Sequence, residues 1–390
     1  MIFSPHTLHP SVPLSDEHEV EVTEKLRSVV GKREARLRSA SVPAPSGDSV
    51  SIDLTTVSAA GTFDAHINVQ FSGATSGSLT TLVVDSGNSI LIIPDWEQIQ
   101  NLQGYTVLGT GTEPWGCPAN IVQGPILIPT SDGGVYTIPG CVFYACTGAP
   151  PSGGQRTANF GAGRPTPWSA NGWSTPQGVP GLAMQAPLSY NPAYPYAEFN
   201  YAPAEQVFSD SGAPMVSENS FLVLYQSQPP GYTMLNTIQN LEWMSLTPQS
   251  LSIEGTMTQW PGSVPSPIAM VDTGGGPVFL SDPNGYVYSS QWSDPVTCPS
   301  WTGSSQNCNC ISGEIGLQLG DGTNSVSYVI DTSNLPPSVQ GITAVLCEVN
   351  AYMMNQQGMN IGGISALFKN ILVDYAGSQV GFKAKAATTT

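Results

Sequence analysis

The chain has 390 residues, which is long enough for two domains or one large domain. Lys and Arg total 11 against 28 Asp and Glu, a net charge of −17. This argues against nucleic acid, because phosphate binding needs clustered cations, and against anionic membrane surfaces. Hydrophobic residues make up 40% of the chain, enough for a folded core, and no run of about 18 apolar residues predicts a membrane-spanning helix.

The charge is distributed unevenly along the chain. Residues 25–38 carry six basic residues against the single acid Glu34, whereas residues 39–390 carry 22 acids and five bases. A charged helix is expected over residues 17–38, and the Ser, Pro and Gly of residues 39–50 indicate a linker. The first residues show no basic stretch followed by an apolar one, so no signal peptide is visible.

From about residue 51 the chain consists of short apolar, β-type runs separated by turns. Gly (41) and Pro (34) interrupt it too often for long helices. The sequence therefore predicts a mostly β protein. Examples of the predicted strands are Phe63–Phe71, Leu79–Val84, Ile90–Ile93, Ile126–Ile128, Val135–Ile138, Phe221–Tyr225, Leu251–Ile253, Ile268–Val271, Val326–Ile330 and Ile371–Val373.

One sequence pattern occurs twice, about half the chain apart. The segments 82–87 (LVVDSG) and 269–274 (AMVDTG) each run from apolar residues into Asp, then Ser or Thr, then Gly. Their aspartates, Asp85 and Asp272, are 187 positions apart. The repetition predicts two homologous lobes, each presenting one aspartate where a strand meets a turn.

Two aspartates brought together in this way have a defined chemistry. Adjacent carboxyl groups do not both ionise easily, so they share a proton. The ionised member can take a proton from water while the protonated member polarises a substrate carbonyl. Amide hydrolysis then needs neither a metal nor a cofactor.

At these residues the sequence resembles the pepsin family of two-lobed aspartic proteases. Residues 85–94 (DSGNSILIIP) are similar to the first active-site segment of the family. Residues 159–163 (NFGAG) and 360–364 (NIGGI) resemble the glycine elements that cross beneath the two aspartates, and the likeness spans roughly residues 61–385. The resemblance implies a bilobal, pseudo-symmetric β fold with a cleft between the lobes.

The resemblance also implies the division of the chain and the roles of its residues. Residues 1–50 would be an inhibitory leader and linker, 51–210 the N-terminal lobe and 211–390 the C-terminal lobe. A cation of the leader, Lys25 or Lys32, would sit near the aspartates at neutral pH. The implied site comprises the catalytic Asp85 and Asp272, supported by Ser86, Gly87, Asn88, Thr273 and Gly274.

The sequence departs from the family pattern at two places. Asn88 and Gly275 stand where the family usually has Ser or Thr, whose hydroxyl groups hydrogen-bond the carboxylates. Asn88 could donate through its amide but Gly275 cannot, so the second carboxylate is expected to be less stabilised as an anion unless water or a backbone NH substitutes. The Tyr of the family's flap hairpin is also missing, and Trp115 is the nearest substitute over the cleft.

The seven cysteines show no paired CxxC spacing typical of a zinc site and have no histidine near them. Disulfides in an oxidising compartment, with one thiol left over, are therefore expected. The resemblance places Cys310 and Cys347 where many family members close a disulfide in the second lobe. Further pairings left open are Cys298 with Cys308, and Cys141 with either Cys117 or Cys146.

These observations predict an aspartic endopeptidase that is made as a zymogen and acts at acid pH on a peptide or protein in the cleft. We expect a monomer in a secreted or otherwise oxidising, acidic compartment, with no cofactor, metal, nucleic acid or membrane partner. Two alternatives stay open at this stage. One is a catalytically silent pepsin-like binding or inhibitor protein, and the other is the same scaffold used for another acid–base reaction.

Overall fold

The computed structural model describes most of the strand-forming part of the chain. Within that part, strands dominate, and the prediction of a mostly β protein is confirmed. The described residues are 16–39, 47–59, 62–74, 79–114, 116–150, 156, 158–163, 185–211, 213–238, 244–253, 256–259, 268–274, 278–281, 308–311, 314–331, 344–347 and 358–385.

Two α-helices, three short 3-10 helices and twenty-two strands lie in these described residues. The helices are α1 (Asp16–Ser39), α2 (Ala204–Val207) and the 3-10 turns Trp96–Gln98, Pro187–Tyr190 and Gly363–Leu367. The first strands are β1 (Ser49–Ala59), β2 (Thr62–Phe71), β3 (Thr80–Asp85), β4 (Leu91–Ile93), β5 (Thr106–Thr112), β6 (Pro118–Pro129), β7 (Val135–Cys146), β8 (Asn159–Gly161), β9 (Tyr196–Asn200), β10 (Met215–Tyr225) and β11 (Thr233–Asn236). The remaining strands are β12 (Ser245–Ile253), β13 (Thr256–Gln259), β14 (Ile268–Met270), β15 (Val278–Ser281), β16 (Cys308–Ile311), β17 (Glu314–Gly320), β18 (Ser325–Asp331), β19 (Ala344–Cys347), β20 (Gly358–Asn360), β21 (Lys369–Asp374) and β22 (Gln379–Ala384).

Strand β2 illustrates why these segments are extended. Its apolar residues recur at every second position, and side chains of a strand point alternately to its two faces. One face of β2 therefore enters the core as an unbroken apolar row. The buried members of that row are Phe63, Ala65, Ile67, Val69 and Phe71.

The strands form two sheets. The first runs in the order β11-β22-β21-β9-β10-β1-β2-β3-β8-β4-β7-β6-β5. Because β6 pairs with β2 as well as with β7, six of these strands close into a barrel, whose interior is a large apolar core. The second sheet runs β16-β19-β15-β20-β14-β12-β17-β18, with β13 added beside β12.

The boundary between the two sheets differs from the domain boundary predicted at residues 210 and 211. Strands β10, β11, β21 and β22 lie in the predicted C-terminal lobe, yet they pair into the first sheet. The last strands of the chain thus return to its first half. The division into lobes at residue 210 stays a prediction. Strands from both sides of residue 210 are hydrogen-bonded to each other in the first sheet.

The two sheets contain the same local strand arrangement. In the first, β3 pairs in parallel with β8, β8 pairs antiparallel with β4, and β4 pairs in parallel with β7. In the second, β14, β20, β15 and β19 repeat this order and these directions. The repeated sequence pattern therefore corresponds to a repeated topology, and each copy spans the end of the first strand of its unit.

The basic leader contains helix α1, as the sequence predicted. Val22 of the helix packs against Val57 of β1, and the buried Arg33 lies 3.8 Å from the carboxylate of Glu218 on β10. Lys25 and Lys32 lie on the exposed face of the helix, and a place for either of them near the aspartates stays a prediction. Within the part of the chain that the structure describes, no helix combines the length and apolarity needed to cross a membrane.

His66 gives the fold a stability that depends on pH. It lies on β2 opposite Val83, its Nδ1 atom is buried, and burial lowers the pKa of the imidazole to about 4. Between about pH 6.5 and about pH 4 the unfolded chain binds a proton that the folded chain does not, so stability falls as the pH falls. One pKa unit corresponds to about 1.4 kcal/mol. Because His66 as a whole residue keeps intermediate exposure to solvent, we expect a total loss of about 2 kcal/mol, less than the full shift corresponds to.

We predict that His66→Gln removes this loss. Urea unfolding of both proteins from about pH 7 to about pH 4 measures it, and the wild type should lose about 2 kcal/mol more than the variant. The carboxyl groups that titrate in the same range contribute equally to both proteins and cancel in the difference. Parallel pH profiles for the two proteins would contradict the assignment.

Candidate active site

Asp85 and Asp272 occupy equivalent positions in the two halves of the molecule. Asp85 is the last residue of β3, and Asp272 follows β14 by two residues. Their side chains are buried, with exposed fractions of 0% and 5%. A buried carboxylate is costly unless hydrogen bonds compensate for the lost water, so the groups around the two aspartates decide what this site can do.

The residues after the two aspartates join the halves by reciprocal hydrogen bonds. The Ser86 amide donates to Thr273 Oγ1 at 3.0 Å, and the Thr273 amide donates to Ser86 Oγ at 2.8 Å. Each hydroxyl also donates to the carbonyl that precedes the opposite aspartate, Ser86 Oγ to Val271 at 3.1 Å and Thr273 Oγ1 to Val84 at 3.4 Å. Four hydrogen bonds thus connect the segment after Asp85 to the segment around Asp272.

The two glycines allow the carboxyl groups to approach. Gly87 and Gly274 each donate their amide to the carboxylate of their own motif, at 2.8 Å to Asp85 Oδ1 and 3.0 Å to Asp272 Oδ1. A Cβ on Gly87 would stand 2.5 Å from Cγ of Asp272, and a Cβ on Gly274 would stand 2.8 Å from Cγ of Asp85. Each carboxyl group thus lies against the glycine of the other motif, where a larger residue does not fit.

The glycine elements predicted to cross beneath the aspartates are β8 and β20 with the residues that follow them. The Ala162 amide donates to the carbonyl of Asp85 at 2.7 Å, and the Gly163 amide donates to that of Asn88 at 2.7 Å. In the second half the Ile361 amide donates to the carbonyl of Met270 at 2.8 Å. A Cβ on Gly161 would come within 2.1 Å of the Ile90 amide, so this glycine is required for the close crossing.

Asn360 is a site residue that the sequence reasoning did not assign a role. Its Nδ2 donates to Asp272 Oδ2 at 2.6 Å, and its Oδ1 accepts the Gly362 amide at 2.8 Å, so both ends of the buried amide are fixed. A second donor to Asp272 therefore comes from a side chain, in addition to the Gly274 amide. The absence of a hydroxyl at Gly275 predicted too few hydrogen-bond donors at the second carboxylate. Asn360 supplies such a donor.

Asn159 is the counterpart of Asn360 in the first half. It pairs with Val83, two residues before Asp85, as Asn360 pairs with Met270, two residues before Asp272. Its amide, however, donates to the carbonyl of Ile90 at 3.2 Å. The Asn-apolar-Gly repetition at 159–161 and 360–362 was the sequence signal for this pair, and only the structure separates their roles.

Asn88 accepts a hydrogen bond within its own loop. The sequence left open a donor bond from its amide to a carboxylate, and the bond described for Asn88 runs from the Ile90 amide to its Oδ1 at 2.7 Å. An Asn side chain that accepts from the amide two residues on closes a local turn. Asn88 therefore shapes the loop that follows Asp85.

Tyr201 is a second residue that the sequence did not single out. It follows β9, its ring is fully buried, and it packs edge-on against Phe63 with 5.6 Å between ring centroids. Burial, together with the nearby Asp85 and Asp272, raises the pKa of its hydroxyl far above the usual range. The raised pKa favours the protonated form of this buried hydroxyl.

The other predicted site residues fall partly outside the described residues. Trp115 lies outside them, as do Gly275 and Cys298. The backbone register of β16 and β19 places Cys308 opposite Cys347 and Cys310 opposite Val345. The pairing of Cys310 with Cys347 stays a prediction, and the register makes Cys308 a competing partner.

Side chains suited to bind a metal come together elsewhere among the described residues. The group consists of Glu113, Cys117 and Cys146, at the closed end of the β5–β6 hairpin, and does not include either aspartate. No protein-family model matches the chain, and no curated protein matches it. The functional conclusion therefore depends on the geometry of the two aspartates.

We predict that Asn360→Leu destabilises the protein by about 1–3 kcal/mol at about pH 7, because it removes a donor from a buried carboxylate. The loss should shrink at about pH 3, where the carboxyl group needs that donor less. Urea unfolding at both pH values measures it. The matched control is Asn159→Leu, which removes a bond to a carbonyl and should cost the same at both pH values. An Asn360→Leu loss that does not depend on pH would contradict the role given to Asn360.

Proposed function

We propose that the chain is an aspartic endopeptidase with a pepsin-like, two-lobed architecture, which hydrolyses peptide bonds with a water molecule activated between Asp85 and Asp272. One observation carries the proposal. Two buried carboxyl groups lie at equivalent strand ends, each against the glycine of the other motif, and reciprocal hydrogen bonds between Ser86 and Thr273 join them.

The strand arrangement supports the two-lobed part of the proposal. Each aspartate lies at or just after the end of the first strand of the same four-strand unit, and the two units lie in different sheets. An evolutionary doubling of one unit accounts for both the repeated sequence and the repeated topology. A cleft between the halves would leave the aspartates at its floor, where an extended peptide can lie across them.

The proposed reaction uses the two carboxyl groups as an acid and a base. The ionised aspartate takes a proton from the water, whose oxygen attacks the peptide carbonyl carbon, while the protonated aspartate donates a hydrogen bond to the carbonyl oxygen. In the tetrahedral intermediate the proton passes to the amide nitrogen, and the C–N bond breaks. Neither a covalent enzyme intermediate nor a further charged group is needed for this sequence.

The hydrogen bonds favour one distribution of the proton. Asp272 receives the Gly274 amide on one oxygen and the Asn360 amide on the other, and donors stabilise the ionised form of a carboxyl group. The equivalent amide of Asn159 is directed to a carbonyl instead of to Asp85. We therefore assign the negative charge to Asp272 and the shared proton to Asp85, with Asn360 as a positioning residue.

We predict that Asp85→Asn and Asp272→Asn each abolish cleavage, because each removes one of the two proton-transfer groups. The purified chain is incubated at about pH 3, 4, 5 and 7 with an unfolded protein substrate, with and without pepstatin, and followed by intact mass. Pepstatin-sensitive cleavage at acid pH, with loss of roughly the first 35–55 residues, is expected of a zymogen with a working pair of aspartates.

The control for these variants is Asp95→Asn, which removes a surface carboxylate that pairs with Arg156 at 3.2 Å. It should cleave like the wild type. Full activity in either Asp85→Asn or Asp272→Asn would refute the assignment of the pair. A folded wild-type chain that cleaves nothing at any of these pH values, with saturable binding of a peptide, would replace the proposal with the catalytically silent binding protein.

Asn360→Leu tests the distribution of the proton. Loss of a hydrogen bond to a charged group costs about 1.5–3 kcal/mol, so the acid limb of the kcat/KM profile should move to higher pH by about one unit. Asn159→Leu should leave this limb in place. An unmoved acid limb in a folded Asn360→Leu variant would contradict the assignment of the charge to Asp272.

A further inference from the structure

Two cysteines of the first sheet lie side by side in the core. Cys117 immediately precedes β6, and Cys146 is the last residue of β7. The direct partner of Cys146 in the sheet is Ala119, two residues after Cys117. Both are completely buried, and their sulfur atoms lie within 4.8 Å of each other and of a Glu113 carboxylate oxygen. Burial raises the pKa of Cys146 far above its usual range, with Cys117 as a close neighbour.

The backbone on both sides of this pair is fixed. The Glu113 amide donates to the Cys117 carbonyl at 3.0 Å, and the Cys117 amide donates to Glu113 Oε1 at 2.8 Å, which closes the end of the β5–β6 hairpin. After Cys146 the Thr147 amide donates to the Pro118 carbonyl at 2.8 Å. These hydrogen bonds keep the two sulfur atoms within 4.8 Å of each other, and a disulfide would bring them to about 2.05 Å with an adjustment of the hairpin end.

The third cysteine of this sheet, Cys141, is in a different environment. It stands opposite Gly124 and belongs to the main core, whereas Cys117 and Cys146 belong to a smaller cluster with Ile90. The sequence left Cys141 a choice between Cys117 and Cys146, and the structure supports neither pairing. Cys117 and Cys146 are therefore neighbours, and Cys141 lies in a different cluster from both.

We propose that Cys117 and Cys146 form a disulfide that ties the closed end of the β5–β6 hairpin to the end of β7. The oxidant is a disulfide of the glutathione or protein-disulfide class. A thiolate of one cysteine attacks it, giving a mixed disulfide and one released thiol, and the second cysteine then displaces the other thiol. Two protein thiols and one oxidant disulfide thus become one protein disulfide and two oxidant thiols.

The burial of both sulfur atoms determines the stage of folding at which the bond forms. An oxidant does not reach them in the folded protein, so the bond forms during folding, before the hairpin closes, and is then shielded from reduction. It encloses the whole β6–β7 hairpin in a covalent loop. Such a loop stabilises the fold by restricting the unfolded chain, and it fits a protein that folds in an oxidising compartment.

The bond is tested on the full chain, refolded with oxidised and reduced glutathione, by peptide mapping without reduction. A linked peptide pair containing Cys117 and Cys146, lighter by two hydrogen atoms than the separate peptides, is expected. Cys141 should react with an alkylating reagent only after unfolding. Alkylation of both Cys117 and Cys146 in the unfolded, unreduced protein, or Cys141 within a disulfide, would overturn the proposal.

Variants add a second measurement. Cys117→Ser and Cys146→Ser should each lower the Tm of the oxidised protein by about 4 °C, and this difference should largely disappear when all proteins are refolded in reductant. Cys141→Ser is the matched control and should show no such dependence on oxidation. Stoichiometric zinc in the purified wild type that is lost in Cys117→Ser would also overturn the proposal, in favour of a metal site formed with Glu113.

The readouts are mass and thermal stability, so they are independent of any cleavage. A failure of the disulfide would leave the roles of Asp85 and Asp272 untouched. A protein without peptidase activity could still carry the bond between Cys117 and Cys146. If neither serine variant folds, the peptide map of the wild type decides the question alone.

Discussion

The reciprocal hydrogen bonding of Ser86 and Thr273 is the constraint on which the rest of the site depends. Each residue donates its amide to the hydroxyl of the other and its hydroxyl to the strand that carries the other aspartate. All four bonds are buried and join segments 187 positions apart in the chain. Because water cannot replace a broken bond there, the two halves are fixed in one relative position at this point.

Because the two strand ends are fixed, backbone amides are in place to compensate for the burial of the two carboxyl groups between them. Each aspartate receives the amide of the glycine two residues on, and that glycine also leaves the space into which the opposite carboxyl group fits. Each carboxyl group therefore lies against the backbone of the other motif, and the two acidic groups share one buried place. In the proposed function, the packing that demands glycine also brings the two carboxyl groups together to share a proton.

The sequence predicted those features of the site that depend on neighbouring residues in the chain. Apolar alternation gave the strands, and the repeated Asp-Ser/Thr-Gly placed Asp85 and Asp272 at equivalent strand ends. The return of β21 and β22 to the first sheet was not predictable, because that pairing is set by long-range register. Tyr201 carried no local signal, since its position beside the carboxyl groups arises only from packing of the core.

Asn159 and Asn360 show why even a visible pattern left the chemistry undecided. Both sit in the same Asn-apolar-Gly pattern and at the same register position, so symmetry alone would give them the same partner. In the first half, the loop shaped by Asn88 presents the Ile90 carbonyl to Asn159. In the second half the sequence continues with Gly275 and Gly276 instead, and the Asn360 amide donates to Asp272. A difference in the loop sequences thus accompanies a different acceptor for the repeated Asn amide, and in the proposed function this makes the pair of aspartates asymmetric. An asymmetric pair is what acid–base catalysis requires, since one carboxyl group must hold the proton while the other accepts one.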